Sequence, residues 1–435
     1  MSVSVLPIVT QGVGMSRRRV LLVSLAALSA ACSDSPLAPA RVATSRPVLQ
    51  ESEGRGVFQR YVAMGTSLSM GWASDGGFVG SQVSSWPAQL GRMGNREITQ
   101  PYIQAPGCRA PIAPPFAGGV RTSGEPILGN LGALSCAPLV AGVTLPTQNV
   151  SINGARVINA LVTTPENAID PANQKLYSRI LPTGATQVSA MESQNPKLVS
   201  VEFGANEVLG AQSGVALVGA SPLPILDPQT FAAQYDQLID RVAATHAKHV
   251  LLVSLATNTL SIPAFRSGTE IAANAAALLI GFNVAVQPDC GTTSAQNLIY
   301  VNLKLLPAMQ AGLIAKSANL PPVPFTCVGG GPTTVDFVLT PQEQAIVAAV
   351  VTQMNAVIQG EAQSRGYAVF SLDALFAAPG VRVPLNVVTL FTTAQPYGPF
   401  MSMDGIHPNA AGNALIAQAA AQALNARYDL GIPIP

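Results

Sequence analysis

A chain of 435 residues that is 48% hydrophobic and only 10% charged, with a formal net charge of +1, lacks both the basic surface of a nucleic-acid binder and the composition of a disordered acidic tail. The length alone would allow about three domains, although single domains with insertions reach this size. Glycine (38) and proline (35) are abundant and aromatics make up 5%, which implies tightly packed elements joined by proline-punctuated loops; no internal repeat stands out.

The first segment reads as an address. Ser16-Arg-Arg-Arg19 precedes the apolar run Val20 to Ala31, giving a basic region, a short hydrophobic region and small residues at a cleavage point, so residues 1–31 are expected to be a signal peptide. The run is too short to span a bilayer. Ser29-Ala-Ala-Cys32 resembles a bacterial lipoprotein box, with Leu28 one place earlier than that pattern prefers; in it Cys32 takes lipid and becomes the new N-terminus. An ordinary cleaved signal with an incidental cysteine stays open, as does a start at Met15, and Ser16-Arg-Arg is a loose match to a twin-arginine signal. Residues 32–56 lack apolar periodicity and are expected to form a flexible tether. The expected location is outside the cytoplasm, at the outer membrane, periplasmic face or cell surface, with membrane contact only through the lipid anchor.

Residues 57–430 are expected to form one α/β domain, a three-layer α/β/α sandwich with a mainly parallel sheet. Phe58 to Met64, Leu198 to Phe203, Val250 to Leu255 and Tyr367 to Leu372 are short apolar runs of the kind found in parallel strands buried on both faces. The first runs into Gly65-Thr66-Ser67-Leu68, and two readings of that turn are open: Thr66 and Ser67 cap the next helix, or Ser67 presents its hydroxyl at the sheet's carboxyl edge, where ligands bind in such folds. Segments of roughly 99–150 and 262–338 look like insertions. Each holds two of the four cysteines left beyond Cys32, and the simplest pairing in an oxidising compartment is local, Cys108 with Cys136 and Cys290 with Cys327, although three connectivities are formally allowed. No Cys-x-x-Cys spacing occurs, which disfavours zinc.

Between these lie Ser151-Ile-Asn-Gly154, where a glycine lets a backbone amide approach a ligand, and Gly204-Ala-Asn206-Glu207, which puts a side-chain amide just after the second strand. Asn206 has an alternative role in closing its own turn. Asp227-Pro228 opens an amphipathic helix with Phe231, Tyr235, Leu238, Ile239 and Val242 on one face, and His246 and His249 near its end suit the last carbonyls. Thr340-Pro-Gln-Glu343 is a capping box followed by Ile346, Val350, Met354, Val357 and Ile358, and Gly366 is a stop signal. Near the far end Asp404 lies three residues before His407, ahead of a helix expected to run from Asn409 to Leu424. A short turn at that spacing lets a carboxylate hold one imidazole nitrogen while the other faces a hydroxyl.

With blocks in the order serine, glycine, asparagine, then aspartate with histidine, the chain resembles the SGNH hydrolases, also called the GDSL lipase/esterase family, over about residues 57–428. GTSLS, SINGA, GANE and DGIHP match the four blocks, with Thr66 where the first block usually has aspartate and Glu207 where aspartate commonly follows the third-block asparagine. The resemblance implies Ser67 as nucleophile, His407 as general base, Asp404 as its orienting acid, and an oxyanion hole from the Ser67 and Gly154 amides with the Asn206 side chain. It implies an esterase or lipase working without metal or organic cofactor on a small-molecule, lipid or acylated-glycan ester. Two other readings stay open, a carbohydrate O-deacetylase of the same fold and a non-catalytic lipoprotein that binds glycan or lipid. The apolar side chains Leu278, Leu279, Ile280, Phe282 and Val284 in one insertion, with Phe116 and Ile127 in the other, favour acyl chains if the insertions form a lid.

Overall fold

A computed structural model describes residues 56–127, 136–169, 171–258 and 261–435. The signal-type segment, Cys32 and the tether up to residue 55 lie outside the described residues.

Four strands form the central sheet. In chain order the framework runs β1 (Tyr61–Gly65), α1 (Ser67–Met70), α2 (Trp86–Met93), α3 (Val157–Val162), α4 (Gln187–Glu192), β2 (Leu198–Glu202), α5 (Ala205–Val208), α6 (Pro228–Ala244), β3 (His249–Ser254), α7 (Pro341–Arg365), β4 (Ala368–Ser371) and α8 (Ala410–Tyr428). The sheet order is β1-β2-β3-β4 and every pairing is parallel, with Tyr61 opposite Leu198, Leu198 opposite His249 and Ala368 opposite Leu251. Because side chains alternate across a strand, Val62, Met64, Val199, Val201, Val250 and Leu252 enter one apolar core. Tyr61, Ala63, Leu198, Leu251, Val253 and Ala368 enter the other. Helices α3, α4, α6 and α7 cover the first face; α2 and α8 cover the second. This is the three-layer sandwich expected from the alternating pattern.

The four strands stand where the apolar runs are, with shifted ends. Residues 56–58 form a helical turn, so β1 begins only at Tyr61; Phe58 stays buried by meeting the Tyr61 ring edge-on, centroids 5.7 Å apart. Helix α6 has its expected cap, Asp227 accepting from the Thr230 amide at 2.9 Å, and its five expected apolar residues are buried. The capping role expected for the two histidines beyond it divides. His246 ends the helix in the left-handed region (φ 55°), whereas His249 opens β3 and packs edge-on against Tyr428, so it is a sheet residue and not a cap. In α7 the capping box and Gly366 stop (φ 69°) stand as expected, but the buried stripe includes Val347 and Val351, while Ile346 and Val357 are only partly buried. Helix α8 is capped by Asn409, one residue beyond Pro408, and runs on to Tyr428.

Both disulfides join the local pairs, Cys108 with Cys136 and Cys290 with Cys327. The described residues around the first are mostly loop, held by isolated bridges such as Gly77 to Cys108. The second segment has a small antiparallel sheet of its own, in which Leu298–Tyr300 pairs with Phe265–Ser267 on one side and Val338–Leu339 on the other.

Candidate active site

Strand β1 ends at Gly65, and Ser67 is the first residue of α1, so its amide has no acceptor within the helix. Thr66 occupies the cap position but makes no side-chain cap bond; its hydroxyl donates to the Glu202 carboxylate instead. The capping reading of this turn therefore fails for Thr66, and Ser67 is left with its hydroxyl directed elsewhere. Its Oγ lies 2.9 Å from Nε2 of His407. The two residues are 340 positions apart and both are buried.

His407 is positioned by a tight turn. Asp404 Oδ1 accepts the His407 backbone amide at 2.8 Å and that of Ile406 at 2.9 Å, while Oδ2 lies 2.9 Å from His407 Nδ1. Gly405 makes the turn, at φ 65° and so close to the Tyr397 ring that a side chain would overlap it. Burial alone would push the Asp404 carboxyl up, but the His407 ring beside it and the two amides outweigh burial and hold it at about 2. Burial would also push His407 down; the charge and hydrogen bond of Asp404, then Asp75 and Glu202, leave it raised above 6.5. Asp404 is thus ionised across the neutral range, which fixes a proton on Nδ1 and leaves Nε2 as the acceptor for the Ser67 hydroxyl.

Sequence reasoning missed what holds Asp404 from the other side. The Asp75 amide donates to Asp404 Oδ2 at 2.7 Å from a left-handed backbone (φ 55°). The Asp75 carboxylate is gripped by Arg109 and by Arg121, both at 2.6 Å, and the Arg121 side chain is 1% exposed. Ser402 accepts from the Ser74 amide at 2.8 Å and donates to Asp404 at 3.2 Å. The first insertion, which carries both arginines, therefore buttresses the acid of the site. No local pattern could show this, since the bonded partners lie more than 320 residues apart.

The other expected pieces meet on the opposite flank. Asn206 follows β2 and donates one amide hydrogen to the Ala155 carbonyl at 2.9 Å, which leaves its second hydrogen available. Arg156 Nε donates to the Asn206 carbonyl at 3.2 Å and the Val157 amide to Glu207 Oε1 at 2.7 Å, so the glycine block and the asparagine block are laced together. Gly154 sits at φ 77° with open space where a side chain would project, so its conformation and not crowding requires glycine.

A family model, the GDSL-like lipase/acylhydrolase, matches residues 61–420 and so takes in all five of these positions. The chain belongs to that family. Its α/β sandwich is the fold of the GDSL-like hydrolases, and membership makes it an acyl-ester hydrolase at the level of the family. No curated protein matches the chain.

In this GDSL-like protein Ser67, Asn206 and His407 form the polar end of a cavity of about 120 Å³. Apart from Gln212 the rest of its wall is apolar, with Leu209 after α5, Leu255 after β3, Phe265 from the second insertion, Val347 and Val351 from α7, and Phe376 after β4. Gly154 is not among the lining residues. Nor are the insertion residues expected to contact a substrate: Leu278, Phe282, Val284 and Phe116 are buried in the second core and Ile127 packs against it, while Leu279 and Ile280 face solvent. Apolar lining comes instead from Ile262 and Phe265 at the start of the second insertion and from Val347 and Val351 of α7, which lie outside the stripe expected from Ile346, Val350, Met354, Val357 and Ile358.

Proposed function

We propose that this GDSL-like protein hydrolyses carboxylic esters of short to medium acyl chains through an acyl-enzyme on Ser67. The observation that carries the reading is the unbroken chain Asp404–His407–Ser67, each link 2.9 Å, with Ser67 and His407 lining a largely apolar cavity. Ser67 Oγ attacks the ester carbonyl carbon while His407 Nε2 takes its proton. Asp404 keeps the imidazole in that tautomer and stabilises the cation that forms. The negative charge on the carbonyl oxygen is met by the Ser67 and Gly154 amides and the Asn206 side chain. Collapse of this intermediate expels the alcohol, which takes the proton from His407. Water, activated by the same imidazole, then attacks the acyl carbon and releases the acid and the free Ser67 hydroxyl. No step calls for a metal or organic cofactor.

The apolar wall favours acyl chains over the acetyl group of a polysaccharide, which would leave most of it uncovered. An apolar cavity of about 150 Å³ holds benzene, so the space here suits a chain of roughly six carbons. A purely binding role has no use for a hydroxyl already hydrogen-bonded to a buried, oriented imidazole. Export with anchoring through Cys32 completes the proposal, and two disulfides support it, because they persist in oxidising compartments.

Nitrophenyl esters from acetyl to dodecanoyl, assayed with the wild type and Ser67→Ala, test this. Turnover should peak near hexanoyl and vanish in the variant; a maximum at acetyl would favour the deacetylase, and equal activity in Ser67→Ala would exclude the mechanism.

A further inference from the structure

Glu202 closes strand β2, a lone acid in the segment LVSVE, and is 1% exposed. Its Oε2 accepts the Thr66 amide at 3.0 Å, the Ser69 amide at 3.3 Å and the Ser69 hydroxyl at 3.0 Å. The Thr66 hydroxyl donates to the same carboxylate, 2.9 Å from Oε1 and 3.0 Å from Oε2. Ser69 Oγ in turn accepts from Trp86 Nε1 at 3.1 Å. Space for the carboxylate comes from Gly65, where a side chain would come within 2.9 Å of Glu202 Oε2.

Every neighbour of this carboxylate is a donor, and two are backbone amides that cannot accept a proton. An ionised Glu202 satisfies all of them. Burial pushes its pKa up, and the Thr66 and Ser69 donors offset that rise only in part. Among the described residues no cation pairs with it. A buried carboxylate without a cation is costly, and the fold carries that cost directly beside the serine. The donors are residues 66 and 69, which bracket Ser67 in the chain.

We infer that Glu202 is a positioning residue for the nucleophile: one carboxylate grips the chain on both sides of Ser67, keeping its hydroxyl on His407 and its amide in the oxyanion hole, and adds negative charge near the imidazole. The inference rests on the reading of Ser67 as the nucleophile. It also gives Thr66 a role. An aspartate there, as in the usual first block, would face Glu202 as a second buried carboxylate, whereas threonine supplies a donor.

The charges that act on His407 are Asp404 on its own turn, Asp75 from the loop after α1, already paired with Arg109 and Arg121, and Glu202 from β2. Glu202→Gln, which removes that charge, is therefore expected to lower the His407 pKa. The imidazole then stays neutral, and able to act as base, to lower pH. A role confined to stability would not move that limit.

The test uses the full chain, a nitrophenyl hexanoate assay from pH 5 to 9, and the variants Glu202→Gln and Thr66→Val, with thermal melting to confirm folding. Glu202→Gln should lower kcat by about 10- to 100-fold with KM changed less than about twofold, as for a misplaced reacting group, and its acid limb should move to lower pH. Thr66→Val, which removes one donor and keeps the charge, should lower kcat several-fold with the acid limb in place; it decides the matter if Glu202→Gln does not fold. Unchanged kcat in whichever variant folds, or a loss in Glu202→Gln with the acid limb unmoved, would overturn the inference. Fluorophosphonate labelling of Ser67→Ala keeps the two questions apart. Label persisting in that variant would remove Ser67 from the chemistry whatever Glu202 does, while loss of label beside an unaltered Glu202→Gln profile would remove Glu202 alone.

Discussion

Glu207, next to Asn206, is buried with one oxygen on the Val157 amide and the other without a hydrogen-bond partner among the described residues. Burial, opposed mainly by that amide, pushes its pKa from 4.5 to about 7. Raised in the folded state, it binds a proton there more tightly than in the unfolded chain. Its contribution to stability is therefore fully present below pH 4.5 and is lost as pH rises through about 7, an effect of about 3 kcal/mol at 1.36 kcal/mol per unit. Glu207→Gln keeps the acceptor for Val157 and cannot ionise. Its melting temperature should match the wild type near pH 4 and exceed it near pH 8; a difference that does not grow with pH would contradict the assignment. At this scale the sequence was most legible where chemistry sits in short contiguous motifs. Ser67, Asn206, Asp404 and His407 meet as their blocks imply, because a turn between two elements fixes direction locally. Glu202 and Asp75 stayed hidden, since their partners lie 136 and 329 positions away. One signal was present for Glu202, an acid at the end of a strand otherwise buried on both faces.

Helix α7 shows what elements reveal and conceal. Its cap, its stop and its apolar character follow from Thr340, Glu343 and Gly366, yet which flank meets the sheet and which meets a cavity depends on neighbours that periodicity does not name. Val347 and Val351 line the cavity that Ser67 and His407 also line. The consequence can be measured. Val351→Phe would fill part of the cavity, and hexanoyl ester turnover should fall by roughly 10- to 100-fold relative to acetyl ester, the range that methylene-sized changes give in apolar pockets. An unchanged chain-length profile would mean the acyl group lies elsewhere. The strands were legible for a simpler reason: only residues buried on both faces give continuous apolar runs. Their ends moved by up to three residues, as at Phe58, because a helical turn can also bury a phenylalanine against the sheet.

For the whole molecule, the sandwich followed from the alternation of apolar runs with amphipathic helices, and local pairing of the cysteines followed from their grouping. What the insertions do did not follow, because loops take their places from contacts with the finished sheet. The first, through Arg109 and Arg121, steadies Asp75 and with it Asp404. The second contributes Phe265 and Ile262 to the cavity. All of these contacts serve a site built from opposite ends of the chain, and the central step of the proposed mechanism is transfer of an acyl group to Ser67. Rapid acid quench of the full chain with nitrophenyl hexanoate, followed by peptide mass mapping, observes that step directly. One hexanoyl group on the peptide that contains Ser67, absent in Ser67→Ala, is the predicted result; hexanoyl on any other residue, or undiminished acylation of Ser67→Ala, would contradict it.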